Sequence, residues 1–262
     1  MSATAKRFRP RLIPTLIALP LLLTLLGLGT WQMERREWKT ALLADMAARL
    51  AMPPAALVDL LPLGPAANYR PVYAVGVYRH DLEMLLQART HEGRIGAQVV
   101  TPLQLIENRS AQDAASGARI TVENVLVNRG WVPLEARDPE SRPDSLLQGE
   151  VVVTGILRWP ADPGLFTPKN DPAGRMWYWP EVPAMAQAAD LGQMAPALIE
   201  LGRSSTIPDA LPSATLPIGG QTIISLSNNH LQYALTWYAL AAALLATYIL
   251  SQRRLPTPKA AA

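Results

Sequence analysis

Three histidines and no cysteine bound the metal and redox chemistry open to this chain. Without thiols there is no disulfide framework and no thiolate metal site, so any iron, copper or zinc would rest on His, Met or carboxylates. The methionines are scattered rather than paired, which argues against copper delivery. His80 and His91 fall in turn-like stretches beside Asp81 and Glu92, where an ordinary surface histidine is expected. His230 stands in a different setting, "SNNHLQYALTWYALAAALLATYILSQRR", at the start of an otherwise apolar helix. Asn228 or Asn229 is placed there to cap the first turn, and the helix dipole disfavours an imidazolium. Neutral imidazole is the form that ligates a metal. His230, Tyr233, Ala234 and Trp237 share one helix face. The same His, Tyr and Trp also fit an interfacial belt, so both readings stand open on the residues alone.

Two apolar runs must position these residues. Residues 12–29, "LIPTLIALPLLLTLLGLG", and residues 231–250 are long enough, at ~1.5 Å rise per residue, to cross a ~30 Å hydrocarbon core. Pro14 and Pro20 would kink the first run locally. A cleaved signal peptide is its rival reading, with "KRFRPR" as basic region and Gly27-Leu28-Gly29 as a small-x-small site. A run of about 18 residues is long for a signal core, which favours an anchor. Lys6, Arg7, Arg9 and Arg11 precede the first run, and Arg253, Arg254 and Lys259 follow the second, which places both ends in the cytoplasm. Arg35, Arg36 and Lys39 oppose that orientation, but long domains are translocated largely regardless of such charges. The division implied is a cytoplasmic tail at 1–11, membrane helices at 12–31 and 230–250, a periplasmic domain at 32–229 and a second cytoplasmic tail at 251–262.

The first helix is expected to continue outside the membrane through "WQMERREWKTALLADMAARL", residues 31–50, until "MPP" stops it. Residues 70–79, 83–89, 95–106, 119–132 and 150–159 are short, β-branched and partly alternating, and read as strands. "PEVPAMAQAADLG" supplies a short helix, "PALIEL" and "QTIISLS" two more strands, and "ENRSAQDAASGAR" a polar loop that a hairpin tolerates. The fold class is therefore a membrane protein of α+β type, with two transmembrane helices flanking an antiparallel, β-rich, extracytoplasmic domain.

Catalytic signatures are missing: no Gly-rich phosphate loop, G-x-S-x-G elbow, HExxH or CxxC occurs. The net charge of +3 is concentrated at the chain ends, which argues against nucleic-acid binding.

"LGTWQMERREWKTALL", "YRPVYAVGVY", "GRIGAQVVTPL", "VLVNRGWVP", "VVVTGILR" and "NNHLQYALTWYALA" follow one another in the order and spacing of the surfeit locus protein 1 family, which the chain resembles over nearly its whole length. The resemblance implies a non-enzymatic factor for cytochrome c oxidase assembly in a bacterial inner membrane. Haem a is the implied transient cofactor and the oxidase's large subunit its recipient, with haem a synthase as a further partner. It also implies His230 as the iron ligand, on a face where Tyr233, Ala234 and Trp237 leave room for a flat porphyrin. Trp31, Arg35 and Trp38 share a face where the first helix emerges, so Arg35 is a candidate propionate contact or a snorkelling belt residue. Arg129, beside Trp131 in "VNRGW", is a second candidate propionate contact or a structural ion pair. Trp177, Tyr178 and Trp179 read as core or interface packing. A scaffold that docks on oxidase subunits without any cofactor is the alternative function.

Overall fold

The computed structural model describes residues 7–8, 10–106, 110–112, 119–202, 216–220 and 228–254. Helix α1 (Leu12–Leu50) is followed by a single turn, α2 (Leu57–Leu60), and strands β1 (Pro71–Tyr78), β2 (Met84–His91), β3 (Arg94–Leu105), β4 (Asn124–Pro133) and β5 (Glu150–Arg158). Helix α3 (Val182–Ala188), strand β6 (Met194–Glu200) and helix α4 (His230–Ser251) complete the main elements. The chain forms two compact units, Met1–Asp45 with Ser225–Ala262, and Met46–Ile224.

In the first unit α1 and α4 pack side by side. Both are long and apolar enough to span a membrane, and only 6% and 11% of their most apolar windows are buried, so neither is the core helix of a soluble domain. Helix α1 runs unbroken from the apolar segment into the polar one, as the pattern over residues 31–50 predicts. Pro14 lies in the first turn, where its missing N–H costs nothing, and Pro20 lies inside the helix. At Gly29 the Tyr238 ring of α4 takes the space of a side chain: an added Cβ would stand 2.5 Å from it. Gly27 has open space instead, and Ala239, Ala242 and Ala243 are exposed, so the packed small residues of α4 are Ala234 and Ala241. Hydroxyls of Thr15 and Tyr248 lie 2.6 Å apart, those of Thr30 and Tyr238 lie 3.3 Å apart, and the Arg11 backbone N–H donates to Gln252 Oε1 at 3.0 Å.

The second unit is a barrel. β1 pairs β5, β5 pairs β6, β6 pairs β4, β4 pairs β3, and β3 returns to β1, while β2 extends β3 as a hairpin. Four pairings of the ring are antiparallel and one, β6 with β4, is parallel. The sheet is therefore mixed, which corrects the purely antiparallel expectation. The correction has a physical source: β6 inserts between β5 and β4, and since the chain reverses from β4 to β5 and again from β5 to β6, β6 runs antiparallel to β5 and parallel to β4. The strand order is that of an OB-type Greek-key barrel. Every ring strand contributes to one interior core, for example Val72, Leu103, Val127, Leu157 and Ile199, and Leu57 and Leu60 of α2 pack into it. On the outer side Val100, Leu126 and Leu198 are covered by Trp177 and by Val182 and Met185 of α3, which bears out Trp177 as core. Strand β4 is buried at every position because both its faces are covered.

The strands expected in residues 70–159 are present, the one at 119–132 divided into Arg119–Thr121 and β4, and so are the short helix (α3) and "PALIEL" up to Glu200 (β6). "QTIISLS" lies outside the described residues. Of the polar loop, Ser110–Gln112 pairs with Arg119–Thr121, so its arms form a hairpin. The barrel closes at Gly76, where an added Cβ would collide with the Gln104 carbonyl and stand 2.9 Å from Leu103 Cγ. Gly76→Val is expected to destabilise the barrel by about 1–3 kcal/mol, whereas Val152→Thr at an exposed barrel position changes stability by less than about 0.5 kcal/mol. Denaturant unfolding of the detergent-solubilised protein, followed by tryptophan fluorescence, measures both.

Candidate functional site

His230 is the first residue of α4 and is half-buried against α1. Its Nδ1 lies 2.8 Å from Gln32 Oε1 on α1. An amide oxygen only accepts, so Nδ1–H is the donor, and Nε2 has no partner among the described residues. This is the arrangement in which a second group sets a histidine's orientation for metal ligation. Gln32 went unnoticed in the sequence; the available signal was an uncharged amide at the polar end of α1, level with a histidine at the polar end of α4. No side chain caps α4: Asn229 makes no cap hydrogen bond, and Asn228 donates from Nδ2 to Thr40 Oγ1 at 3.2 Å. The expected asparagine cap is thus replaced by an interhelical bond.

Around His230, Ala234 is buried in the helix pair, Trp237 is half-buried and Tyr233 is 56% exposed. Trp31 and Trp38 are also exposed, and the Arg35 guanidinium stacks 3.9 Å above the Trp38 ring. His230, Tyr233, Trp237, Trp31 and Arg35 therefore all belong to the helical unit. Arg129 does not. No group of three or more His, Cys, Asp or Glu residues capable of holding a metal occurs among the described residues.

Arg129 is buried in the barrel unit, where its position on β4 carries it past the apolar core to Tyr78, Glu83 and Arg142. Its guanidinium donates to the Ser145 carbonyl, lies 5.0 Å from the Tyr78 ring and 4.0 Å from Glu83 Oε2. Arg142 is also buried; it donates to Glu83 Oε1, to the Ala136 carbonyl at 3.1 Å and to Ser145 Oγ at 3.1 Å. Two guanidiniums thus share one carboxylate, and the residual positive charge is spread over backbone carbonyls and an aromatic face. Burial pushes the Tyr78 phenol up to about 12, with Arg129 pulling the other way. His91 does not sit in a turn; it ends β2 and lies 5.2 Å from the Trp131 ring.

His80 is likewise no ordinary surface histidine. It occupies a turn, as expected, but is half-buried, with Nε2 2.9 Å from the Leu147 carbonyl and Nδ1 3.5 Å from Arg129 Nη1. Nε2 is therefore the protonated nitrogen. Burial lowers its pKa below 6.5, the Leu147 hydrogen bond opposes this, and Arg129 adds to the lowering. The unfolded chain accordingly takes up the proton first as pH falls. Stability is fully present above pH 6.5 and declines from there down to the lower folded-state pKa. His80→Gln is expected to flatten that part of the stability-pH curve, measured by denaturant midpoints at a series of pH values. An unchanged slope would assign it to other groups.

Comparison with known sequences covers both units. The SURF1 family profile matches residues 19–242. Surfeit locus protein 1 of Xenopus tropicalis is 37% identical over 232 residues, spanning 83% of this chain and 68% of that protein. Its human counterpart is 35% identical over 236 residues, spanning 84% and 71% respectively. A SURF1-like protein of Monosiga brevicollis is 34% identical over 242 residues, spanning 87% and 83%. With a match that runs from the first helix into the second, through every strand of the barrel, the chain belongs to the SURF1 family.

Proposed function

We propose that the chain is a non-catalytic assembly factor for cytochrome c oxidase that holds haem a at His230 and passes it to the oxidase's large subunit. The family is known for oxidase assembly, and the observation that carries the cofactor reading is the Gln32–His230 hydrogen bond. It leaves one imidazole oriented, with Nε2 unengaged, at the end of an apolar helix pair. The surrounding residues fit a porphyrin: Trp237, Tyr233 and Trp31 offer ring faces, and Arg35 offers a cation for a propionate. When bound, the haem supplies an iron that accepts the imidazole lone pair. The protein's part is to fix the ring's tautomer, exclude bulk water with its apolar helices, and hold the macrocycle's charged edge towards water. Arg129 has a structural role in this reading, because its guanidinium is engaged within the barrel unit.

We place both helices across a bacterial inner membrane, with the basic chain ends in the cytoplasm and the barrel in the periplasm. Their exposed apolar surfaces support the spans, and the bonds from Thr15 and Arg11 to α4 support a retained anchor over a cleaved signal. Removing α1 would strip Tyr248 of its interhelical partner in a medium that offers no replacement.

The test uses full-length protein purified from cells that make haem a, with haem a synthase as the source. His230→Ala is expected to insert and accumulate normally but to lose the haem absorbance. Gln32→Ala is expected to weaken haem affinity by about 10–100-fold, the usual consequence of removing a group that orients a ligand. Unchanged haem content in His230→Ala would show that iron is held elsewhere. A parent protein that carries no haem when haem a is plentiful would leave a scaffold on oxidase subunits.

A further inference from the structure

Residues 160–176 leave the barrel after β5 and return at Trp177. The base of this excursion is fixed. Trp177 is fully buried, and its carbonyl accepts from the Gln87 N–H at 2.6 Å. The Asn170 side chain accepts from the Tyr178 N–H at 2.8 Å and donates to Glu181 Oε2 at 3.0 Å and to the Trp179 carbonyl at 3.2 Å. Asp171 and Met176 exchange two backbone hydrogen bonds of 2.9 Å each. On this base stands a turn closed by the Thr167 N–H to the Gly164 carbonyl at 2.9 Å. Its two central residues are Leu165, 100% exposed, and Phe166, 99% exposed.

We infer that this turn is a membrane-inserting tip, in which Leu165 and Phe166 enter the lipid interface next to the bilayer that anchors the chain. The inference rests on the reading of the two apolar helices as membrane spans. A tethered domain meets that surface at high effective concentration, so a small apolar contact is enough to hold it. Lipid is the occupant favoured by size. A stable protein interface buries about 1,200–2,000 Å², far more than two side chains provide, whereas an acyl boundary needs no complementary surface. Charge raises no barrier to this: the exposed Lys169 and Arg175 of the same excursion balance the exposed Asp162 and Asp171, and Asp171 accepts from the Gly174 N–H. The loop's anchoring fixes the direction of the tip before it meets lipid, so little ordering is left to do on insertion.

The cysteine-free chain makes the test direct. Leu165→Cys is labelled with an environment-sensitive fluorophore in the full-length protein and reconstituted in phosphatidylethanolamine–phosphatidylglycerol vesicles. Val152→Cys on the barrel surface is the reference. The label at 165 is expected to shift to shorter wavelength, to be quenched by doxyl-labelled lipids, and to be several-fold less quenched by iodide than the label at 152. Adding Phe166→Ser should reverse these effects. Equal iodide quenching at 165 and 152, in protein that resists carbonate extraction, would overturn the tip while leaving the membrane reading intact. Protection that appears only when an oxidase subunit is reconstituted alongside would overturn lipid in favour of a protein partner. Extraction of the protein by carbonate would remove the membrane reading, and the tip with it.

Discussion

A polar side chain between two apolar helices finds its hydrogen bond on the neighbouring helix, because apolar surroundings supply none. That constraint sets how α4 lies on α1. Polar links run along the pair, from Arg11–Gln252 and Thr15–Tyr248 near one end to Thr30–Tyr238, His230–Gln32 and Asn228–Thr40 towards the other. Together they fix the rotation of α4 about its axis. Ala234 and Ala241 then turn inward against α1, with Gly29 admitting the Tyr238 ring, and Tyr233 turns outward. The same rotation places His230 with one nitrogen committed to Gln32 and the other free. Helix packing and the orientation of the imidazole are thus one problem with one solution.

The barrel unit solves a different problem, that of closing a small sheet without unpaired edges in its ring. Closure brings the β1 and β3 backbones so near at Gly76 that a side chain there has no room. It also carries the alternating inward positions of β4 from Val125 and Val127 to Arg129, which must then find partners in place of water. Glu83, Ser145 and Tyr78 supply them, and Arg142 ties the loop that follows β4 into the same cluster. Such a cluster adds little net stability but is costly to break, because one deletion strands a buried charge. The outer face of β3 and β4, where barrels of this order commonly bind ligands, is filled by Trp177 and α3.

Periodicity made much of this legible. Apolar run length located both helices, and β-branched alternation located the strands, because each records one local environment per residue. Pairing was less legible, since the parallel β4–β6 contact joins segments that have β5 between them in the chain. The environments of His80 and His91 were missed for a related reason: turn-like neighbours point to water, whereas Leu147, Arg129 and Trp131 come from distant strands and loops. For the candidate site, His230 was visible as a histidine at the mouth of an apolar helix. Gln32 was not, because only the antiparallel packing of α1 and α4 brings residues nearly two hundred positions apart into register.

The account depends most on the claim that Gln32 sets the imidazole through which iron is held. The direct measurement is the iron–histidine stretching band of the ferrous haem complex, recorded by resonance Raman on the parent and on Gln32→Glu. A carboxylate in place of the amide oxygen strengthens the hydrogen bond from Nδ1–H and makes Nε2 a stronger donor. The account predicts a band in the parent, its loss in His230→Ala, and a shift to higher frequency in Gln32→Glu. A band that persists without His230, or one that Gln32→Glu leaves unmoved, would contradict it.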